Sequence, residues 1–98
     1  MSAGTLAPNG LIRDVTIVNQ RGLHARASAK FVQVASGFEA DVTVEKDGIS
    51  VGGTSIMGLM MLAASPGCSV RITASGREAA VALDALETLI ATRFGEEC

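Results

Sequence analysis

From Ser69 to Ala74 the chain alternates, with apolar Val70, Ile72 and Ala74 set against polar Arg71 and Thr73. A period of two predicts a strand with one buried face. Runs rich in β-branched residues over about Arg13–Asn19, Asp41–Lys46 and Ile49–Val51 predict three more. The last two are joined by Asp47-Gly48, a strong hairpin signal because the tight turn needs positive φ. Elsewhere the apolar period lengthens to that of a helix. Over about Ala25–Ser36, the residues Ala27, Ser28, Phe31, Val34 and Ala35 share one face, and Gly37 supplies the stop. A short helix is expected over roughly Ser55–Leu62, preceded by Gly52-Gly53-Thr54 and ended by Ser65-Pro66-Gly67. A longer one is expected over about Arg77–Ala91, where Ala79, Leu83, Leu86 and Ile90 make the buried face. The order is β-α-β-β-α-β-α. Short strands with one hairpin and two helical crossovers suit an α+β fold, a four-stranded open sheet with helices packed on one face.

Residues 1–10 are small and turn-rich and read as a flexible leader, leaving residues 11–95 as a single domain. The chain has no Trp or Tyr, and Phe occurs only at positions 31, 38 and 94, so the core must be aliphatic. The net charge is −2 and no basic stripe is interleaved with aromatics, which argues against nucleic acid as a partner. Cys68 and Cys98 make neither a CxxC metal motif nor a disulfide framework, so a reducing cytoplasm is the expected compartment. No secretory signal opens the sequence. The apolar run Ile56–Ala64 is too short to span a bilayer. No metal set, paired carboxylates or substrate pocket can be picked out, and Glu96-Glu97 reads as a terminal pair. A free-standing enzyme is therefore not expected, and no cofactor is implied.

The chemistry concentrates at His24, the only histidine, in the run Gly22-Leu23-His24-Ala25-Arg26-Ala27 between the first strand and the first helix. Gly22 allows a sharp backbone turn there. A helix N-terminus presents free N–H groups and a positive dipole end, which favour an anion and above all a phosphate. The amides of Ala25, Arg26 and Ala27 are the expected donors. Arg26 would add a cation with a fork of N–H groups. Histidine suits a phosphoryl acceptor because it keeps an unprotonated ring nitrogen near neutral pH. Taken alone, His24 reads more readily as an ordinary surface or turn residue than as a catalytic one, and Arg26 as a solvated helix charge. Ser55 is well placed as the N-cap of the second helix. In that helix Leu59 and Leu62 can face inward, which leaves Ile56, Met57 and Met60 exposed as an adaptable apolar patch.

Gly22-Leu23-His24-Ala25-Arg26, followed about thirty residues later by Ser55-Ile56-Met57-Gly58-Leu59-Met60, strongly resembles HPr. That family is the histidine-containing phosphocarrier of the bacterial phosphoenolpyruvate-dependent phosphotransferase system. The likeness runs over roughly residues 12 to 94. It implies an open-faced β-sandwich, a four-stranded antiparallel sheet covered on one side by three helices. It implies that His24 accepts a phosphoryl group on Nδ1 from phosphorylated enzyme I and passes it to an enzyme IIA domain, with Arg26 holding the phosphate. Ser55 corresponds to a second, regulatory phosphorylation site used by a dedicated kinase, an HPr kinase/phosphorylase, in many bacteria. Ile56, Met57 and Met60 correspond to partner-docking positions, and a monomer is expected. The sugar-transport branch and the nitrogen-related branch fit the same residues. One position departs from the pattern: many members have proline directly after the arginine, where this chain has Ala27. Alanine also suits a first helical turn, and it adds a backbone N–H. The competing reading is a non-catalytic regulatory or ligand-binding α+β domain in which His24 is incidental.

Overall fold

The computed structural model describes the backbone of residues 5–7 and the whole of residues 10–96. The elements are β1 (Thr5–Ala7), β2 (Gly10–Thr16), α1 (Ala25–Ala35), β3 (Asp41–Lys46), β4 (Ile49–Gly52), α2 (Ile56–Met61), β5 (Ser69–Ser75) and α3 (Ala79–Ala91). A one-turn 3-10 segment, Arg93–Gly95, follows α3. All strand pairs are antiparallel, in the spatial order β1-β2-β5-β3-β4. The expected α+β sheet of four strands with three helices on one face is therefore present as β2, β5, β3 and β4.

The alternation of β5 sets the layers. Val70, Ile72 and Ala74 point into the core, while Arg71 faces solvent. Their ladder partners, Val15 on β2 and Val42 and Val44 on β3, do the same. Ala27, Ser28, Phe31 and Ala35 of α1 and Ala79, Ala82, Leu83, Leu86 and Ile90 of α3 close the other side. Arg13 ties α3 to the sheet from below, donating to Asp84 and Glu87, each at 2.8 Å. The β3–β4 hairpin turns at Asp47-Gly48 with φ of 53° and 81°, the both-positive geometry expected of that dipeptide.

Several boundaries differ from expectation. Strand β2 runs over Gly10–Thr16, earlier than Arg13–Asn19, because its extent is set by β5, whose ladder spans Leu11↔Ala74 to Thr16↔Ser69. Part of the segment expected as a leader, Thr5–Ala7, adds a fifth, edge strand on β2. Helix α3 starts at Ala79, later than Arg77. There Glu78 is held across the turn, its N–H donating to Glu39 O at 3.0 Å and its carboxylate accepting from Glu39 N at 2.8 Å. The rest of the leader and Cys98 lie outside the described residues.

Candidate functional site

The site begins with a fixed loop. Gly22 takes φ of 64°, and its N–H donates to Asn19 O at 3.1 Å. Leu23 N–H reaches across to Ala64 O, at 2.9 Å, in the segment that follows α2. Leu23 is buried, so the residue after it is delivered to the surface from an anchored position. That residue is His24, the N-cap of α1, with extended backbone angles of −77° and −177°. The first helical bond runs from Ser28 N–H to His24 O at 2.8 Å. The amides of Ala25, Arg26 and Ala27 therefore have no intrahelical acceptor. The His24 side chain does not cap the helix, so its ring is available for other work.

One ring nitrogen is already engaged. His24 Nε2 lies 2.6 Å from Glu96 Oε2. The other carboxylate oxygen, Oε1, accepts from Asn19 Nδ2 at 3.1 Å, and Asn19 Nδ2 also donates to Gly22 O at 2.8 Å. Burial alone would push the Glu96 carboxyl up, but the hydrogen bonds from His24 and Asn19, helped by the charge of Arg21, hold it below the usual carboxylate range. A carboxylate can only accept, so Nε2 carries a proton, and in the neutral ring the lone pair is then on Nδ1.

Glu96 is brought there by an unusual turn. Arg93, Phe94 and Gly95 take φ of 60°, 55° and 76°, three successive left-handed residues. Each non-glycine in that region costs about 1–2 kcal/mol. Two contacts offset the cost. Phe94 is fully buried in the main core, worth about 1.5–3 kcal/mol. Lys30 Nζ, from α1, donates to Phe94 O at 2.6 Å.

The remaining candidates divide between this corner and α2. Arg26 is exposed, and no described residue engages its guanidinium. Ala25 is exposed and the Ala27 side chain is buried. Ser55 is the N-cap of α2, and its hydroxyl oxygen accepts from Gly58 N–H at 2.9 Å. Leu59 and Leu62 are buried, whereas Ile56, Met57, Met60 and Met61 are exposed, the two central methionine positions by 69% (Met57) and 39% (Met60). The Leu23–Ala64 bond links the His24 loop directly to the chain leaving α2. A depression of about 330 Å³ lies elsewhere, along outward positions of the sheet at Asp14, Glu45, Lys46, Asp47, Ser69 and Arg71. Its charges are largely self-paired, Arg71 with Asp14 and Lys46 with Asp47, and none of the candidate site residues line it.

The fold and the sequence around this site are shared with known proteins. The family model for the PTS HPr component phosphorylation site matches residues 12–92. The chain belongs to the HPr family. The HPr phosphocarrier of Cupriavidus necator is 51% identical over 86 residues, covering 88% of this chain and 97% of its own length. That of Neisseria meningitidis serogroup B is 49% identical, with the same coverages of 88% and 97%. Among solved structures, HPr from Thermoanaerobacter tengcongensis superposes with a TM-score of 0.84 at 45% identity, covering 89% of this chain and 98% of its own. Membership makes the chain a phosphocarrier of the phosphotransferase system. No helix among the described residues is long and apolar enough to cross a membrane.

Sequence reasoning missed Glu96, Asn19 and the turn that joins them to His24. Glu96 read as one of two terminal acids, outside the expected domain of residues 11–95. Its partner in the HPr-like site is 72 residues away along the chain, and no local pattern carries such a contact. The available hint was Phe94-Gly95, a rare aromatic beside a residue that tolerates positive φ.

Proposed function

We propose that this chain relays a phosphoryl group through His24, taking it from phosphorylated enzyme I and giving it to an enzyme IIA domain. The observation that carries the reading is the placement of the His24 ring at a helix N-terminus with Nε2 2.6 Å from Glu96, which supports Nδ1 as the nucleophile. In the phosphorylated form the amides of Ala25, Arg26 and Ala27 donate to phosphate oxygens, and Arg26 swings its unengaged guanidinium onto them. Phosphoryl transfer is chiefly positioning and charge stabilisation, so the carrier supplies one half of the transition state and each partner the other. A helix end and one arginine are a moderate grip, which suits a group that must be passed on.

Docking falls to Ile56, Met57 and Met60. Exposed, adaptable side chains beside the transfer site suit a surface that meets several partners in turn. Ser55 lies at the rim of that patch. A phosphate there, placed by an HPr kinase/phosphorylase, would add about −1.5 to −2 charges and repel an acidic or phosphorylated partner face. The protein acts as a cytoplasmic monomer in this reading, in sugar transport or in the nitrogen-related branch.

Incubation with phosphoenolpyruvate, enzyme I and Mg²⁺ tests the relay. The expected result is an acid-labile mass gain of one phosphate that is absent from His24→Ala and is discharged by an enzyme IIA. No gain on the wild-type chain, or a gain that survives His24→Ala, would favour the reading in which His24 is incidental.

A further inference from the structure

We propose that the C-terminal strap Arg93–Glu96 is part of the transfer apparatus, with Glu96 as a positioning residue that, aligned by Asn19, holds His24 in its Nε2–H tautomer. The inference rests on His24 being the phosphoryl acceptor. The strap lies beyond residues 12–92, the stretch that defines the family match.

The network has one consistent set of donors. Asn19 Nδ2 faces two acceptors, Gly22 O at 2.8 Å and Glu96 Oε1 at 3.1 Å. With its amide reversed, an oxygen would face both, so the orientation is determined. Asn19 is fully buried, and its Oδ1 has no partner among the described residues. A buried amide that leaves its own oxygen unmatched serves the two bonds its nitrogen makes. Those bonds hold the loop turn at Gly22 and the carboxylate at His24 in one frame.

The strap is anchored twice at Phe94. Phe94 plugs the core, and Lys30 of α1 grips the Phe94 carbonyl at 2.6 Å. The left-handed turn through Arg93, Phe94 and Gly95 aims Glu96 back over the N-terminus of the same helix. Glu96 is thereby delivered to the ring by tertiary structure.

The chemistry follows from the tautomer. The Nδ1 lone pair attacks phosphorus and the Nδ1–P bond forms. The donor–phosphorus bond breaks, and its electron pair leaves on the donor atom. The Nε2 proton stays in place, and the positive charge gained by the ring is faced by the Glu96 carboxylate. When the group is passed on, the Nδ1–P bond breaks and its pair returns to Nδ1. Glu96 neither takes nor gives a proton in either direction. Across the ring from the carboxylate, Arg26 and the helix amides meet the opposite charge of the phosphoryl group.

Glu96→Gln is the direct test, because an amide can accept from Nε2–H or donate to bare Nε2 and so releases the lock. His24 is the only histidine, so long-range ¹H–¹⁵N spectra at alkaline pH report its tautomers without ambiguity. The wild-type ring is expected to be almost wholly Nε2–H, and the Glu96→Gln ring a mixture. Phosphoryl acceptance from enzyme I should fall about tenfold, equivalent to about 1.4 kcal/mol of barrier. Lys30→Met, which loosens the strap without touching the ring, should shift both readouts part of the way. Unchanged tautomers or an unchanged rate in Glu96→Gln would overturn the proposal and leave the carrier reading standing. Failure of the wild-type chain to be phosphorylated would remove the carrier reading, and this inference with it.

Discussion

Gly22→Ala isolates the backbone geometry that delivers His24. Gly22 has φ of 64°, and a Cβ there would lie 2.2 Å from Ala64 O and 3.0 Å from Ser65 Cα. Alanine in the left-handed region costs about 1–2 kcal/mol. The carbonyl that must move is the one that accepts from Leu23 N–H at 2.9 Å, and losing that bond costs about 0.5–1.5 kcal/mol more. A central total of about 2.5 kcal/mol corresponds to roughly 10–20 °C in Tm for a domain of this size. Gly48→Ala is the control. Its φ is also positive, at 81°, but nothing lies within 4 Å of the added Cβ, so only the conformational cost applies. Urea unfolding followed by far-UV circular dichroism measures both, since the chain has no Trp or Tyr to serve as a fluorescent probe. Gly22→Ala should be the less stable by about 1 kcal/mol or more, and it should also accept phosphate more slowly, because the Gly22 carbonyl holds Asn19. Equal stabilities would refute the claim that close approach to Ala64 sets this loop.

Three further outcomes are expected. Ser55→Ala removes the acceptor for Gly58 N–H and should cost about 1 kcal/mol. Ser55→Asp should keep the cap yet slow phosphoryl acceptance from enzyme I, and equal rates with wild type would exclude charge at Ser55 as an off-switch. Arg26→Ala should leave stability within about 0.5 kcal/mol, since no described residue engages that side chain, while slowing transfer to and from His24; unchanged rates would end its phosphate role. The Glu96 carboxyl is held below its ordinary range, so its contribution to stability is full above that range and is lost as pH falls through the lower folded value. The Tm advantage of wild type over Glu96→Gln should therefore vanish in strong acid, and an advantage that persists undiminished there would contradict the assigned ionisation.

What local pattern could carry was legible, and what depended on distant partners was not. Asp47-Gly48 specifies its own turn, and Val70, Ile72 and Ala74 specify their own buried face. Leu59 and Leu62 separate from Ile56, Met57 and Met60 by helical spacing alone. His24 could be placed at a helix start because Gly22 and the apolar face beginning at Ala27 lie within a few residues of it. The end of β2 could not be placed, because β-branched Ile17 and Val18 look like strand, while the ladder stops where β5 begins at Ser69. Thr5–Ala7 form a strand only through pairing with Leu11, Ile12 and Gly10 of β2. The Glu96 contact needs the core to seat Phe94 and α1 to offer Lys30, and both are products of the folded whole. Half of the ring's environment was therefore invisible to any reading of the run Gly22–Ala27.

The most direct measurement is the position of the phosphoryl group on the ring. The protein carrying ¹⁵N-histidine is phosphorylated with phosphoenolpyruvate, enzyme I and Mg²⁺, and the single imidazole is observed by ¹H–¹⁵N and ³¹P spectroscopy. The account predicts one phosphoryl group bonded to Nδ1 of His24, with Nε2 still protonated against Glu96. A phosphoryl group on Nε2, or on any other residue, would contradict it.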